Sequence, residues 1–503
     1  MPGQGLGSRL ALPGAVLLAL VIVLTIALVT RPGPAVPATQ GGQPAAVTSI
    51  TRSCPPAAPG SGTARVTMVA LPAGPGKAAA GAATLSTVPA ASSSNSARSG
   101  TAGRGAKAAR PAAKAAVPGQ ATVTAPGTVA TVTAASGGGT AVAATGSMAE
   151  GFEAEESDAS GTGLVSCSHP GSDMWFVGTG RSAGATQVWL YLMNTGTVTA
   201  SADLTILTDT GQQNGLSTAI TVQPHQYVRE DIGPLVGGSQ ALALHVQANA
   251  GQVTASVWEG GRGGGAWLPQ AAAPSRTQVI PGLTVASSAA RLFVVVPGAT
   301  DAQLKVVAYT LAGAVPQFPG NLIDASAGAT TPVALNSLGA SAAGLKLTAS
   351  VPVVAAVLVP GTGIGSFTTA VPPVTEQGVV AGNPAARGVT VGLLLTAPGA
   401  AARASVSVIS ADGTVTRPPA DQAVSVAAGH TLALTVPRPT SGRQPFAIVV
   451  TPAAGSGPLY AARVVTSGNG GLSAPAVSLL PVQSALTVIT LPPARDTYQA
   501  VLP

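Results

Sequence analysis

The residues able to carry chemistry in this chain are few and far apart. Four histidines, His169, His225, His245 and His430, stand in no HExxH or other metal-ligand spacing, so each reads as a surface or turn residue. No GxSxG elbow and no SxxK pair occurs, and a Ser-His-Asp triad could be drawn only by free choice among many serines. Gly361-Thr362-Gly363-Ile364-Gly365 departs from the dinucleotide fingerprint and precedes no α/β pattern, so it reads as a loop. These residues assign no catalytic, cofactor-binding or metal-binding position, and the expectation is a protein that is not an enzyme. A hydrolase or transferase acting on envelope polymers is the competing expectation; it lacks paired carboxylates or a nucleophile in a persuasive context.

Three groups remain. Glu150, Glu153, Glu155, Glu156 and Asp158 offer the oxygen ligands that calcium favours, yet the run lacks the alternating Asp/Asn and glycine of a dedicated loop. They read as a solvated acidic edge or a partner for basic residues upstream. All four tryptophans, Trp175, Trp189, Trp258 and Trp267, fall within one stretch of the chain. Exposed indole faces stack on the apolar faces of sugars, so Trp175 and Trp267 are the candidate ligand contacts, with core filling the alternative, above all for Trp189 inside an apolar strand. Cys54 and Cys167 are expected to form a disulfide in an oxidising compartment; two buried thiols are the alternative, and the absence of a CxxC pair removes thioredoxin-like and zinc-finger readings.

The compartment is read from the start of the chain. Leu10 to Thr30 is an unbroken apolar run, and about twenty such residues rise about 30 Å as a helix, the hydrocarbon thickness of a bilayer. The run exceeds the roughly 7 to 15 residues of a cleavable signal core, so it is expected to stay as an anchor, with a freely secreted product as the competing outcome. Arg9 and the amino terminus precede it and only Arg31 follows closely, which favours a short cytoplasmic tail and an outside C-terminal bulk. The expected location is the cell membrane, single-pass, with the lipid bilayer as a partner of the N-terminal helix.

The net charge of +7 hides an asymmetry: ten basic residues and no acidic one precede Glu150, leaving fourteen basic and seventeen acidic from Glu150 onward. Arg98, Arg104, Lys107, Arg110 and Lys114 sit among Ala, Gly and Ser, too poor in large side chains to offset the entropy of ordering, and read as a flexible linker. Nucleic acid is a poor partner because these cations lack interleaved aromatics.

Repetition carries the fold. Ala202 to Ile206, Ala302 to Val306 and Ala402 to Val406 alternate apolar with polar, as a half-buried strand does, and each is followed by a turn glycine at Gly211, Gly313 or Gly413. Upstream lie Val188 to Leu192, Leu292 to Val296 and Val391 to Leu395; downstream lie Leu242 to Val246, Leu345 to Ala349 and Phe446 to Val450. A further apolar run follows each, at Val253 to Trp258, Val353 to Val359 and Leu459 to Val465. This pattern predicts an all-β chain of repeated antiparallel β-sandwich modules resembling immunoglobulin domains, with closed barrels or propeller-like blades as alternatives. The expected order is a cytoplasmic tail at 1–9, a transmembrane signal anchor at 10–30 and a linker at 31–47. A partial β-module at 48–165 with a disordered insertion near 75–118 follows, then sandwiches at 166–280, 281–385 and 386–503.

The anchor, Cys54-Pro55, the acidic Gly151 to Glu155 stretch leading to Cys167 and Pro170, Trp175-Phe176-Val177-Gly178 and the closing Pro458 to Val464 segment resemble an actinobacterial membrane-anchored secreted family catalogued as domain of unknown function 5719. That resemblance implies a cell-envelope setting and transfers no mechanism. The expectation is a membrane-tethered extracytoplasmic scaffold or binding protein, touching cell-wall glycan or another envelope protein without covalent chemistry or a cofactor.

Overall fold

A computed structural model describes residues 43–72, 80–91, 122–158, 163–183, 185–213, 219–261, 263–284, 290–335, 342–361, 363–416, 423–440, 442–467 and 476–491. The expected anchor, most of the linker at 31–47 and most of the insertion near 75–118 lie outside these residues, but the insertion is not disordered throughout: Ala82–Val88 within it is a strand paired with Gly139–Thr145, its Ala83, Leu85 and Val88 buried. Among the described residues no helix is long and apolar enough to cross a membrane. The chain divides into two compact units, residues 1–45 with 488–503, and residues 46–487. In the first, Gln43–Ala46 pairs with Val488–Leu491. Everything below concerns the second.

Strand formation follows the alternation seen in the sequence. Along Ala302–Thr310 and Ala402–Ile409 the first residues are buried and exposed in strict turn, so one face of each strand meets a core and the other does not. The turn glycines that close these strands have positive φ, 103° at Gly211, 119° at Gly313 and 83° at Gly413, a conformation most side chains resist.

The described strands of this unit group into four modules with one topology. In module II the strands are Asp173–Thr179, Ala185–Asn194, Ala200–Thr208, Gly211–Gln213, Ile220–Val222, Gln226–Asp231, Ala241–Ala250, Thr254–Gly261 and Gly264–Leu268. One sheet runs Asp173–Thr179, Ala241–Ala250, Ala200–Thr208, Gly211–Gln213; the other runs Gln226–Asp231, Ala185–Asn194, Thr254–Gly261, Gly264–Leu268. All these pairings are antiparallel. Leu190, Leu192 and Val257 of the second sheet share one core with Phe176, Ile206 and Leu244 of the first, so the sheets face each other across it.

Module IV, from Gly378–Asn383 to Ala476–Val482, repeats this order strand for strand. Module III, from Ser275–Thr284 to Ser366–Thr369, does so with one change: the two strands that are separate in module II fuse into the single strand Ala342–Val359, which passes from one sheet to the other. Leu345 to Ala349 and Val353 to Val359, expected as two strands, are therefore one. Module I, from Ser49–Cys54 to Leu164–Ser166, is a complete member of the set rather than a partial one, because its two four-stranded sheets have the same order.

Two further expectations are corrected. The opening strand Gly378–Asn383 lies before the expected boundary at 385/386, yet it pairs with Phe446–Pro452 of module IV. The sheet order also departs from the immunoglobulin pattern, in which the first two strands are neighbours in one sheet. Here the first two strands of each module lie in different sheets, because the first pairs with the strand that precedes the last hairpin.

The modules close into a ring. Phe293, Val295 and Phe367 of module III join the core of module II. Leu394, Val464 and Leu479 of module IV join that of module III. Val379, Ala381 and Val449 of module IV pack on Val69, Leu71 and Val129 of module I, and Val88, Ala141 and Val165 of module I pack on Tyr191, Tyr227, Trp258 and Trp267 of module II.

Candidate functional site

Strand register places three of the four tryptophans in one row. Trp189 lies opposite Trp258, and Trp258 lies opposite Trp267, so the row crosses three adjacent strands on the outer face of module II. Side chains opposed in this way sit about 4.5–5.5 Å apart at Cβ. The row persists because its neighbours are small. A Cβ on Gly260 would lie 2.1 Å from the Trp258 ring, and one on Gly265 2.2 Å from it, so the indole lies over glycine backbone where no other residue fits. Tyr191 extends the cluster, its ring 5.7 Å from Trp267 and 6.3 Å from Tyr227, and the Arg229 guanidinium sits 4.4 Å from the Trp189 ring centre.

Module I covers much of this aromatic face. Tyr227 donates its N–H to Pro89 O at 2.9 Å, accepts from Ala91 N at 2.8 Å, and donates its hydroxyl to Gly137 O at 3.1 Å. Burial pushes the phenols of Tyr191 and Tyr227 above their ordinary range. What stays uncovered is a depression of about 350 Å³ where all four modules meet. Its wall holds Ser61 and Leu164 of module I, Trp258 and Trp267 of module II, Ser366 of module III and Leu479 of module IV. Ser366 Oγ accepts the Leu479 N–H at 2.8 Å, tying two of these modules at the site. The glycine run expected as a loop contributes Gly365 to the wall, and a Cβ on Gly363 would lie 3.1 Å from Gly263 O.

A second, smaller cavity of about 60 Å³ lies between modules I, II and IV. Arg52, Glu153, Glu155 and His169 line it. Both carboxylates are engaged by cations: Glu153 pairs with Arg52, and Glu155 accepts from Arg463 Nη1 at 2.8 Å. Glu155 also accepts the Ala381 N–H at 3.1 Å and the Gly382 N–H at 3.2 Å, across the junction of modules I and IV. Burial pushes the Glu153 carboxyl up to about 7, against the pull of Arg52, and lowers the His169 imidazole below its usual value.

The acidic stretch is thus not a solvated edge. Glu155 and Glu156 are 4% and 2% exposed, and desolvation drives Glu156 up to about 8. The misreading has a physical cause: the strand Glu153–Asp158 is paired along both edges, Ala154 on one face lies in the module I core, and Glu155 on the other meets Ala381, Gly382 and Arg463 of module IV. Among the described residues no group of three or more His, Cys, Asp and Glu side chains converges as a metal would require.

The candidate ligand contacts fare differently from each other. Trp175 is 4% exposed and lies on the opposite sheet from the row, stacked on His245 with ring centres 4.0 Å apart. His245 Nε2 is 3.1 Å from Asp173 Oδ1, and Trp175 Nε1 has no hydrogen-bond partner among the described residues. Trp267 is 8% exposed, so neither indole presents an open face, but Trp267 borders the four-module depression. Trp189, expected in the core, is instead half-buried on the outer face under Arg229. Cys54 and Cys167 form the expected disulfide, beside the paired backbones of Ser53 and Ser168. The bond closes module I on itself.

Sequence reasoning missed Arg463, Arg52 and Glu259. The signal was present for two of them, since Arg463 and Glu259 are single charges inside apolar strands. Glu259 is fully buried; its Oε2 accepts from Thr179 N at 3.2 Å and Thr179 Oγ1 at 2.9 Å, and burial pushes its carboxyl up to about 8.

Fold and site together define a multi-module β-protein: antiparallel sandwiches closed in a ring around a tryptophan-walled depression. The chain belongs to a family of unknown function, DUF5719, whose model matches residues 120–437, from the later strands of module I into module IV. No curated protein matches the chain.

Proposed function

We propose that this chain is a membrane-tethered extracytoplasmic scaffold or binding protein of the cell envelope, acting by non-covalent contact with wall glycan or another envelope protein. The observation that carries this reading is the closed ring of four like modules, whose junctions are filled by aromatic packing and a buried ion pair. Such an arrangement holds surface groups in fixed relation, which is what presentation requires. The disulfide supports a location outside the cytoplasm, because such bonds persist in oxidising compartments. The apolar run at Leu10 to Thr30 supplies the tether in this reading, and the Pro- and Gly-rich residues between it and Gln43 supply reach.

The test is capture of envelope material by the immobilised full chain, with the envelope separated into glycan and protein fractions. Saturable retention of glycan at moderate salt, or of one defined protein, is the expected result. Retention of neither would overturn the binding role.

A further inference from the structure

Resting on that contact reading, we infer that the depression where the four modules meet is a saccharide subsite, and that its ligand is a neutral sugar ring. Four features of the wall point to this chemistry. Trp258 and Trp267 both border it at 7% and 8% exposure, so each presents the margin of its indole, an apolar edge of the kind that packs on the C–H groups of a pyranose. Ser61, Ser366 and the peptide groups of Gly263, Gly264 and Gly265 surround the indoles with uncharged polar atoms, suited to ring hydroxyls. Among the described lining residues Asp158 is the single ionisable side chain, so the described wall suits a neutral ligand rather than a polyanion. The volume, about 350 Å³, lies at the lower end of the roughly 300–1,000 Å³ common for small-ligand pockets.

The glycines explain why the opening exists. Gly263 and Gly264 have φ of 89° and 137°, and Gly365 has φ of 99°, so the turns that frame the opening use backbone geometry closed to most side chains. Gly260 and Gly265 let the Trp258 ring lie down over the sheet. Because all four modules contribute, the subsite exists only in the closed ring.

The full chain is titrated with two neutral probes, triacetylchitotriose and maltotriose, following tryptophan fluorescence and heat of binding. Saturable one-to-one binding of at least one probe is expected. Trp258→Leu removes an aromatic edge from the wall, and Ser61→Arg projects a long side chain into the opening from a half-buried turn. Each is expected to weaken binding by about tenfold or more. Trp175→Phe, on the other sheet, is expected to leave affinity unchanged. Ser61→Arg alters no core residue, so a variant with an unchanged melting temperature and unchanged affinity would overturn the assignment, as would failure of both probes to bind. The two readings fail separately: undiminished capture of envelope material by Ser61→Arg sinks the subsite alone, while probe binding without any envelope capture sinks the envelope role alone.

Discussion

Burial lifts Glu153, Glu156 and Glu259 well above the ordinary carboxyl range, and their protonation should govern how stability depends on pH. Burial raises Glu153 to about 7 and both Glu156 and Glu259 to about 8, from an ordinary 4.5. A carboxyl whose folded pKa exceeds its unfolded value keeps its proton longer in the folded chain. Its contribution to stability is therefore complete below about pH 4.5 and is lost as pH rises through about 7 for Glu153 and about 8 for the other two. The melting temperature is expected to fall between pH 5 and pH 9. Glu259 offers the sharpest check, since one oxygen is satisfied by Thr179 while Oε1 has no partner among the described residues. Glu259→Gln should flatten the decline by removing one titration while keeping the bonds from Thr179. A melting temperature that climbs towards pH 9, or the same slope in the variant, would contradict the assignment.

At the scale of strands, the junction of modules I and IV holds, beside its apolar contacts, one buried ion pair with a side chain from each. Glu155 lies in the strand Glu153–Asp158 and Arg463 in Tyr460–Ser467, and their ion pair is 4% and 0% exposed on the two sides. Two charges in low dielectric are expensive to bury and compensate each other only as a pair. Arg463→Met should destabilise the chain by about 3–5 kcal/mol by leaving a buried carboxylate without its cation. Adding Glu155→Gln should recover part of that loss, and chemical denaturation of the two single variants and the double variant measures the coupling. Additive losses would show that the pair does not act as a unit. The strands themselves were legible in the sequence because period-2 alternation reports local burial, as in Ala302–Thr310. This junction was not, since nothing local links Glu155 to a residue 308 positions away. The acidic stretch misled for the same reason: charge argues for solvent unless its distant partner is known.

The whole ring is a further step from local pattern. Three repeated modules and a partial fourth were readable, including the repeat of strand and glycine turn, but closure depends on outer faces that the sequence does not distinguish from inner ones. Trp189, Trp258 and Trp267 illustrate this: alternation puts them on one face, and only the register with module I shows that this face is largely covered. The candidate depression was legible only as tryptophan content and a glycine run, because its wall comes from four modules. Closure has a thermodynamic consequence. Residues 173–271, isolated as module II, would expose Tyr191, Tyr227 and the tryptophan row along with the surface that Phe293 and Phe367 cover in the intact chain. Large exposed apolar patches promote association. The full chain is expected to unfold in one cooperative transition, and the excised module to melt lower or aggregate. Reduction adds a second reading of the same idea, since the Cys54–Cys167 bond spans 113 residues and its loss removes about 4–5 kcal/mol in the chain-entropy model. If the ring is one cooperative body, the Cys54→Ser, Cys167→Ser variant lowers the melting temperature of every module together, followed by hydrogen exchange in strands of modules II, III and IV. Exchange that accelerates in module I alone would mean that the modules unfold independently.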